Sequence, residues 1–115
     1  MRTIIAGSRN LKDRSVIVDA IAKSGFTITT VISGMAIGPD SWGKDWGNAH
    51  QIPVIKMPAL WNLHGKSAGY LRNLAMAERA DALIAIWDGI SRGTQHMINI
   101  AKSKGLKIYI HKVQA

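Results

Sequence analysis

Ala82-Leu83-Ile84-Ala85-Ile86-Trp87-Asp88-Gly89-Ile90-Ser91-Arg92-Gly93-Thr94 is the stretch whose reading decides the fold. Its first part, Ala82 to Trp87, is a continuous apolar run of strand length, as expected of a strand buried on both faces. Its second part is a small-residue turn, and a helical pattern follows from about Gln95 to Lys104, closing at Gly105. A turn between a strand and a helix leaves the first backbone N–H groups of that helix without partners. With the positive end of the helix dipole, those donors form an anion site. Gly89 and Gly93 permit close backbone approach, and Ser91 and Thr94 add hydroxyls.

The same strand–turn–helix unit recurs on the N-terminal side. Arg2 to Ala6 is a first strand ending in the turn Gly7-Ser8-Arg9. Asp13 is a plausible N-cap for a helix with Val16, Ile17, Ala20 and Ile21 on one face, ended by Gly25. Ile28 to Ser33 reads as strand two, followed by the turn Gly34 to Asp40 and a helix from Pro39 or Asp40 to His50. Gly43 and Gly47 lie inside that helix and weaken it by about 1 kcal/mol each relative to alanine. Their spacing therefore predicts a helix face lying very close to a neighbouring backbone. Pro53 to Met57 is strand three, Ala59 to Lys66 a loop, and Ser67 to Arg79 a helix. Strand four is Ala82 to Trp87, strand five Lys107 to His111, and Lys112 to Ala115 a short tail.

Five strands alternating with helices predict one α/β domain over residues 1–115, Rossmann-like and three-layered. Its five-stranded, mainly parallel sheet would carry helices on both faces. Such sheets bind ligands beyond the carboxyl ends of their strands, where the strand order reverses. The turns Gly7-Ser8-Arg9, Gly34 to Asp40 and Asp88 to Thr94 should converge there.

Composition narrows the chemistry. The chain has 115 residues, 47% of them hydrophobic, and a formal net charge of +8. That length suffices to bury roughly 65–70% of the unfolded surface in one core. No apolar run approaches the ~20 residues of a membrane span, and Met1-Arg2-Thr3 leads directly into a strand, so no membrane association and a cytoplasmic address are expected. The absence of cysteine excludes disulfides, thiolate metal sites and cysteine nucleophiles. His50, His64, His96 and His111 fall on four different elements without ligand spacing, so no metal is expected. The positive charge points to an anionic partner, and Arg9, Lys12, Arg14, Lys44, Lys66, Arg72 and Arg92 all fall just after strands or early in the next helix.

Several catalytic patterns fail. Gly65-Lys66-Ser67 resembles the end of a P-loop, but Leu60 stands where the first glycine belongs. Neither Gly34…Gly38 nor Gly89…Gly93 has dinucleotide-fingerprint spacing, so no nicotinamide or flavin cofactor is expected. Ser8, Ser33 and Ser91 lie in turns with His64 and His96 elsewhere, but none sits in a G-x-S-x-G elbow. Trp42 and Trp46, one helical turn apart, read as packing; Trp61 and Trp87 could wall a nucleobase. Arg72 shares a helix face with Met76 and, beside Asn73, lies near the helix start, which favours a ligand role.

Together these residues resemble the small YspA-like proteins of the SLOG superfamily. The match runs through Ile4-Ile5-Ala6-Gly7-Ser8-Arg9, Ser33-Gly34…Gly38…Asp40…Gly43…Trp46, Ile52-Pro53-Val54 and Gly65-Lys66…Ala68-Gly69…Arg72-Asn73…Met76-Ala77. It continues through Ala80 to Gly89, Ser91, Gly93-Thr94 and Met97-Ile98, covering nearly the whole chain. The resemblance implies a Rossmann-like domain for nucleotides or nucleotide-derived ligands, in bacteria or phages. More distant relatives release a base from a nucleoside monophosphate, using an arginine in R-K-x-x-M and a glutamate in P-G-G-x-G-T-x-x-E. Arg72-Asn73-Leu74-Ala75-Met76 matches the first with asparagine for lysine, and Gly93-Thr94 matches part of the second. The glutamate does not carry over: Met97 occupies its place, with His96 beside it, and Glu78 is the sole glutamate in the chain. Met35 stands where a second glycine is usual, and Ile37-Gly38-Pro39 replaces a more basic segment.

The expected function is therefore binding of a nucleotide or nucleotide-derived small molecule, as sensor or sequestering protein, the absent glutamate favouring a role without catalysis. The expected ligand residues are Gly7, Ser8, Arg9, Ser33, Gly34, Gly38, Asp40, Arg72, Asn73, Trp87, Asp88, Gly89, Ser91, Gly93 and Thr94. An N-glycosidic hydrolase using Arg72 with Asp88 or Asp40 is the alternative, and single-stranded nucleic-acid binding across the basic edge a third. Relatives that pair through helices flanking the site imply a homo-oligomer.

Overall fold

The computed structural model describes residues 1–114; Ala115, the last residue of the expected tail, lies outside them. Five strands form one sheet: β1 (Arg2–Gly7), β2 (Thr30–Ser33), β3 (Val54–Lys56), β4 (Ala82–Trp87) and β5 (Lys107–Lys112). Every pairing is parallel and the order is β3-β2-β1-β4-β5. Between them run α1 (Val16–Ser24), α2 (Pro39–Ala49), the short α3 (Trp61–His64), α4 (Ala68–Arg79) and α5 (Arg92–Ser103). The chain is a Rossmann-like α/β domain, and its sheet is wholly rather than mainly parallel.

Strand periodicity builds the two cores. Ile4, Ala6, Ile32, Leu83 and Ala85 face Met76, Ala77, Met97, Ile98 and Ala101 from α4 and α5. Their chain neighbours Ile5, Val31, Ile84 and Ile86 point to the opposite face, against Ile17 and Ala20 of α1 and Trp42 and Trp46 of α2. β1 and β4 read as unbroken apolar runs because both faces are covered. The tryptophan pair of α2 packs on this second core, as its helical spacing predicted.

Gly43 and Gly47 are required by the closeness of α2 to the sheet. A Cβ at Gly43 would lie 2.7 Å from Ile5 Cβ and Cγ2, and one at Gly47 would lie 2.9 Å from Val54 Cγ2. A side chain at either position would push the helix off the sheet.

Strands β2 and β3 are shorter than expected from Ile28–Ser33 and Pro53–Met57, α4 starts one residue after Ser67, and β5 extends into the expected tail at Lys112. Three further differences concern the helices and the loop before α4. Helix α1 proper begins at Val16, after a tight turn that Asp13 caps, its Oδ1 accepting from Ser15 N (3.1 Å) and Ser15 Oγ (2.6 Å) and its carbonyl from Val16 N (3.3 Å). Residues 59–66 are not all loop: α3 and a 3₁₀ turn over Gly65–Ser67 occupy much of the segment. Helix α5 starts at Arg92, ahead of the expected Gln95, so Gly93 and Thr94 lie within its first turn.

The order β3-β2-β1-β4-β5 places the topological switch between β1 and β4, where the chain departs in opposite directions. Ser8 N donates to Ile86 O at 3.0 Å and Asp88 N donates to Ser8 Oγ at 3.2 Å, so the two strand ends are stitched together. Gly7 allows this: a Cβ there would strike Ile86 O and approach the Pro39 ring to 2.7 Å. No helix among the described residues is long and apolar enough to cross a membrane.

Candidate functional site

A cleft of about 620 Å³ opens at the switch point. The end of β1 contributes Gly7, Ser8, Arg9 and Asn10; the turn before α2 contributes Ala36 and Asp40. Trp61 comes from α3, and Gly69, Tyr70, Arg72, Asn73 and Met76 from α4. The start of α5 closes the far side with Ser91, Arg92, Gly93, Thr94, His96 and Met97. The three turns singled out in the sequence thus meet in one place.

Electrostatically the cleft is dominated by positive charge. Arg9, Arg72 and Arg92 line it, and Asp40 is the sole carboxylate among the described lining residues. The first bond of the α5 ladder near the cleft is Gln95 N to Ser91 O at 3.1 Å, so the N–H groups of Arg92, Gly93 and Thr94 precede it and lack helical acceptors. Their partial positive charge adds to the arginines.

The other cations expected at this edge do not line the cleft. Arg14 Nη2 bonds Asp45 Oδ2 at 2.9 Å and Lys44 Nζ lies 3.5 Å from Asp45 Oδ1. Lys12 and Lys66 are not among the cleft residues.

Asp40 is buried at the floor of the site, 4% exposed. Burial pushes its carboxyl up to about 6, while Arg72, the N–H groups of Ala36 and Gly7, and Arg9 oppose the rise. Between Asp40 and Arg72 lies Gly34, where a Cβ would come within 2.5 Å of Arg72 Nη1 and 2.7 Å of Asp40 Oδ2. A bare backbone here lets Arg72 reach across 38 residues of chain to donate to Gly34 O at 2.6 Å. Arg72 is therefore half-buried and fixed, not a solvated arginine on the helix surface.

Asn73, behind it, accepts from Arg72 Nε through Oδ1 (3.0 Å) and bonds His96 Nδ1 through Nδ2 (3.0 Å). Tyr70 stacks on the His96 ring with centroids 4.4 Å apart.

Several expected ligand residues are instead builders of the turns. Ser33 is fully buried; its Oγ donates to Asp40 O and accepts from Met35 N, fixing the loop before α2. Gly38 adopts φ +90° and sits against Ser8 O, so it supplies backbone shape. Asp88 accepts from Ile90 N and Ser91 N through Oδ1 (2.8 Å each) and from Ser91 Oγ through Oδ2 (3.0 Å). Those donors, chiefly the Ser91 and Ile90 amides, hold its carboxyl down at about 2. Ionised at neutrality, Asp88 has both oxygens engaged by its own turn and lies outside the cleft lining, at a distance from the site where a carboxylate would act with Arg72. Ser91 in turn spends its hydroxyl proton on Asp88.

Trp87 and Gly89 also lie away from the cleft. Trp87 Nε1 donates to Ser91 O at 3.1 Å and its ring faces Lys112 Nζ, 6.0 Å from the centroid; a Cβ at Gly89 would meet the same lysine side chain. Trp61 and Tyr70, both more than half exposed, are the aromatic walls. Sequence reading left Tyr70 and His96 out of the expected ligand residues and counted Arg92 only among the basic residues of the edge. For Tyr70 and His96 the signal was helical spacing, three residues from Asn73 on α4 and three from Gly93 on α5.

No family model matches the chain. Among curated proteins, the Gene 61 protein of Mycobacterium phage D29 is 35% identical over 118 residues, which span 93% of this chain and 93% of that protein. The chain belongs to the family of that phage protein.

Proposed function

We propose that this member of the phage Gene 61 protein family is a SLOG-type module that binds a nucleotide or nucleotide-derived small molecule in the switch-point cleft. It would act as a sensor or as a sequestering protein, and a phage product that captures a host signal nucleotide is one form of that role. The observation that carries the reading is the charge pattern of the cleft. Three arginines and the open N-terminus of α5 face a volume suited to one small molecule, with a single carboxylate among them. In this reading Gly93 and Thr94 amides hold a phosphate, Arg9 and Arg72 neutralise it, and Trp61 or Tyr70 flanks the base.

The test is to denature the purified protein, identify released small molecules by mass spectrometry, and then titrate it with a panel of mononucleotides and cyclic nucleotides. An intact nucleotide recovered or bound, and weakened at least tenfold by Arg72→Ala, is the expected result. No thermal shift with any nucleotide, or a shift that Arg9→Ala and Arg72→Ala both leave unchanged, overturns it. Affinity that falls steeply with salt and grows with oligonucleotide length points instead to single-stranded nucleic acid.

One observation favours a second reading, N-glycosidic hydrolysis of a nucleoside monophosphate. Asp40, with its carboxyl at about 6, lies in the range that acid–base catalysts use, and Arg72 beside it would hold the phosphate. Water would add at the anomeric carbon as the base leaves with a proton, so free base accumulating with time distinguishes cleavage from binding. Self-association is part of the proposal as well. Leu60 and Leu71, exposed before α3 and on α4, line one groove, and Leu63 on α3 is exposed as well, apolar surface that a second copy could cover. Light scattering of the purified protein reads the outcome directly.

A further inference from the structure

The chain Arg72–Asn73–His96 has a direction, and that direction fixes what the histidine presents. Arg72 Nε is a donor only, so the Asn73 atom 3.0 Å from it must be the carbonyl oxygen. The amide nitrogen then faces His96, and the contact at 3.0 Å requires Nδ1 to be the acceptor. A neutral imidazole that accepts at Nδ1 carries its proton at Nε2. Nε2 is shielded from solvent and has no hydrogen-bond partner among the described residues. A buried donor without an acceptor is uncommon in a folded protein. Here it belongs to a residue that lines the cleft. Tyr70, stacked on the ring and 53% exposed, is the neighbour with freedom to swing away.

We infer that His96 is the specificity-determining donor of the cleft. Asn73 locks it as the Nε2–H tautomer, and the ligand must bring an unprotonated acceptor, a ring nitrogen or a carbonyl oxygen, to Nε2. The inference rests on the reading that the cleft binds a nucleotide, and it assigns the part of that molecule away from the phosphate. Asn73, with Oδ1 and Nδ2 both spent inside the protein, is a positioning residue and not a ligand contact. Protonating His96 would set an Nδ1–H against the Asn73 amide, and turning that amide would break its bond to Arg72. Burial lowers the imidazole pKa, which favours the same neutral form.

The tautomer is read from ring ¹⁵N shifts of the histidine-labelled protein. Nδ1 bare and Nε2 protonated is the expected pattern, and the opposite assignment overturns the inference. Asn73→Asp keeps the shape but offers two acceptors, so it should draw a proton onto Nδ1; unchanged ring shifts would contradict the lock. Binding is measured with AMP, GMP, CMP, UMP and inorganic phosphate. His96→Phe keeps the ring stack on Tyr70 and deletes the donor. It should weaken the preferred mononucleotide roughly tenfold, flatten the preference among bases, and leave inorganic phosphate unchanged.

Equal loss for phosphate and nucleotide would put His96 on the anion and overturn its reading role; wild-type nucleotide affinity would overturn it outright. If His96→Phe does not fold, His96→Gln, whose amide nitrogen can stand in for Nε2–H, and Asn73→Asp carry the comparison. If the unmodified protein binds neither phosphate nor any mononucleotide, the binding reading itself fails, an outcome separate from the two above.

Discussion

Asp40 gives the sharpest test of how the cleft is built. Its carboxyl rises from 3.8 to about 6 on folding because burial penalises the charge more than Arg72 and the nearby amides relieve it. The native state therefore holds a proton that the unfolded chain has released at every pH between those values. By linkage, stability falls as pH rises through this window and levels off above it. The rise corresponds to about 3 kcal/mol at neutral pH, since each pKa unit is worth about 1.4 kcal/mol.

Asparagine at this position resembles the protonated acid, so Asp40→Asn should be more stable than the parent by about 3 kcal/mol at pH 8 and nearly equal to it at pH 4. Urea unfolding of both proteins at several pH values measures this directly. A midpoint difference of about 1–2 M at pH 8, shrinking to nothing in acid, is the expected result. A difference that is flat with pH, or that grows in acid, would refute the claim that ionised Asp40 is a destabilised group. The same variant leaves Arg9 and Arg72 without their counter-charge, so inorganic phosphate should bind more tightly to it. A site that gains stability when its carboxylate is removed is one whose charge arrangement serves something other than folding.

Three further outcomes follow from the geometry. Met35 has φ +63°, a left-handed conformation that costs a non-glycine residue about 1 kcal/mol, so Met35→Gly should raise the melting temperature by a few degrees, and a lowered one would show that its side chain packing matters more. Gly43→Ala improves helix propensity by about 1 kcal/mol but drives a methyl into the fully buried Ile5; overpacking of about 1–3 kcal/mol should win, giving a net loss of stability in urea. Asp88→Ala removes the acceptor for Ile90 N, Ser91 N and Ser91 Oγ, so amide exchange should quicken at those two residues while β4 stays protected. Exchange unchanged across the turn would mean that Asp88 is not what holds it.

Much of this architecture follows from local chemistry that a reader of the chain can see. The apolar runs at Arg2–Gly7 and Ala82–Trp87 are long enough for strands and too short for core helices, and Gly25 ends α1 in the left-handed conformation that glycine adopts freely. The glycine pair of α2 announced close contact before any neighbour was known. Alternation with helices then forces a parallel sheet, and a parallel sheet with turns of this kind has its ligand edge already named.

Pairing partners were beyond the sequence, because they depend on distance through space. Ser8 and Asp88 are 80 residues apart, and only the adjacency of β1 and β4 brings them together. Ser33, Ser91 and Asp88 have the residue types of ligand contacts, but each is consumed by a donor or acceptor in its own turn. Trp87 turns out of the cleft because its indole N–H finds Ser91 O. Conversely, His96 acquires meaning only when Asn73, on a different helix, fixes which nitrogen carries the proton. Sequence determined the elements, their parallel arrangement and the edge where the three turns converge, since those follow from periodicity and turn chemistry. Tertiary structure decided which polar groups at that edge remain free, since a hydrogen bond is spent or kept according to neighbours that the chain brings from far away.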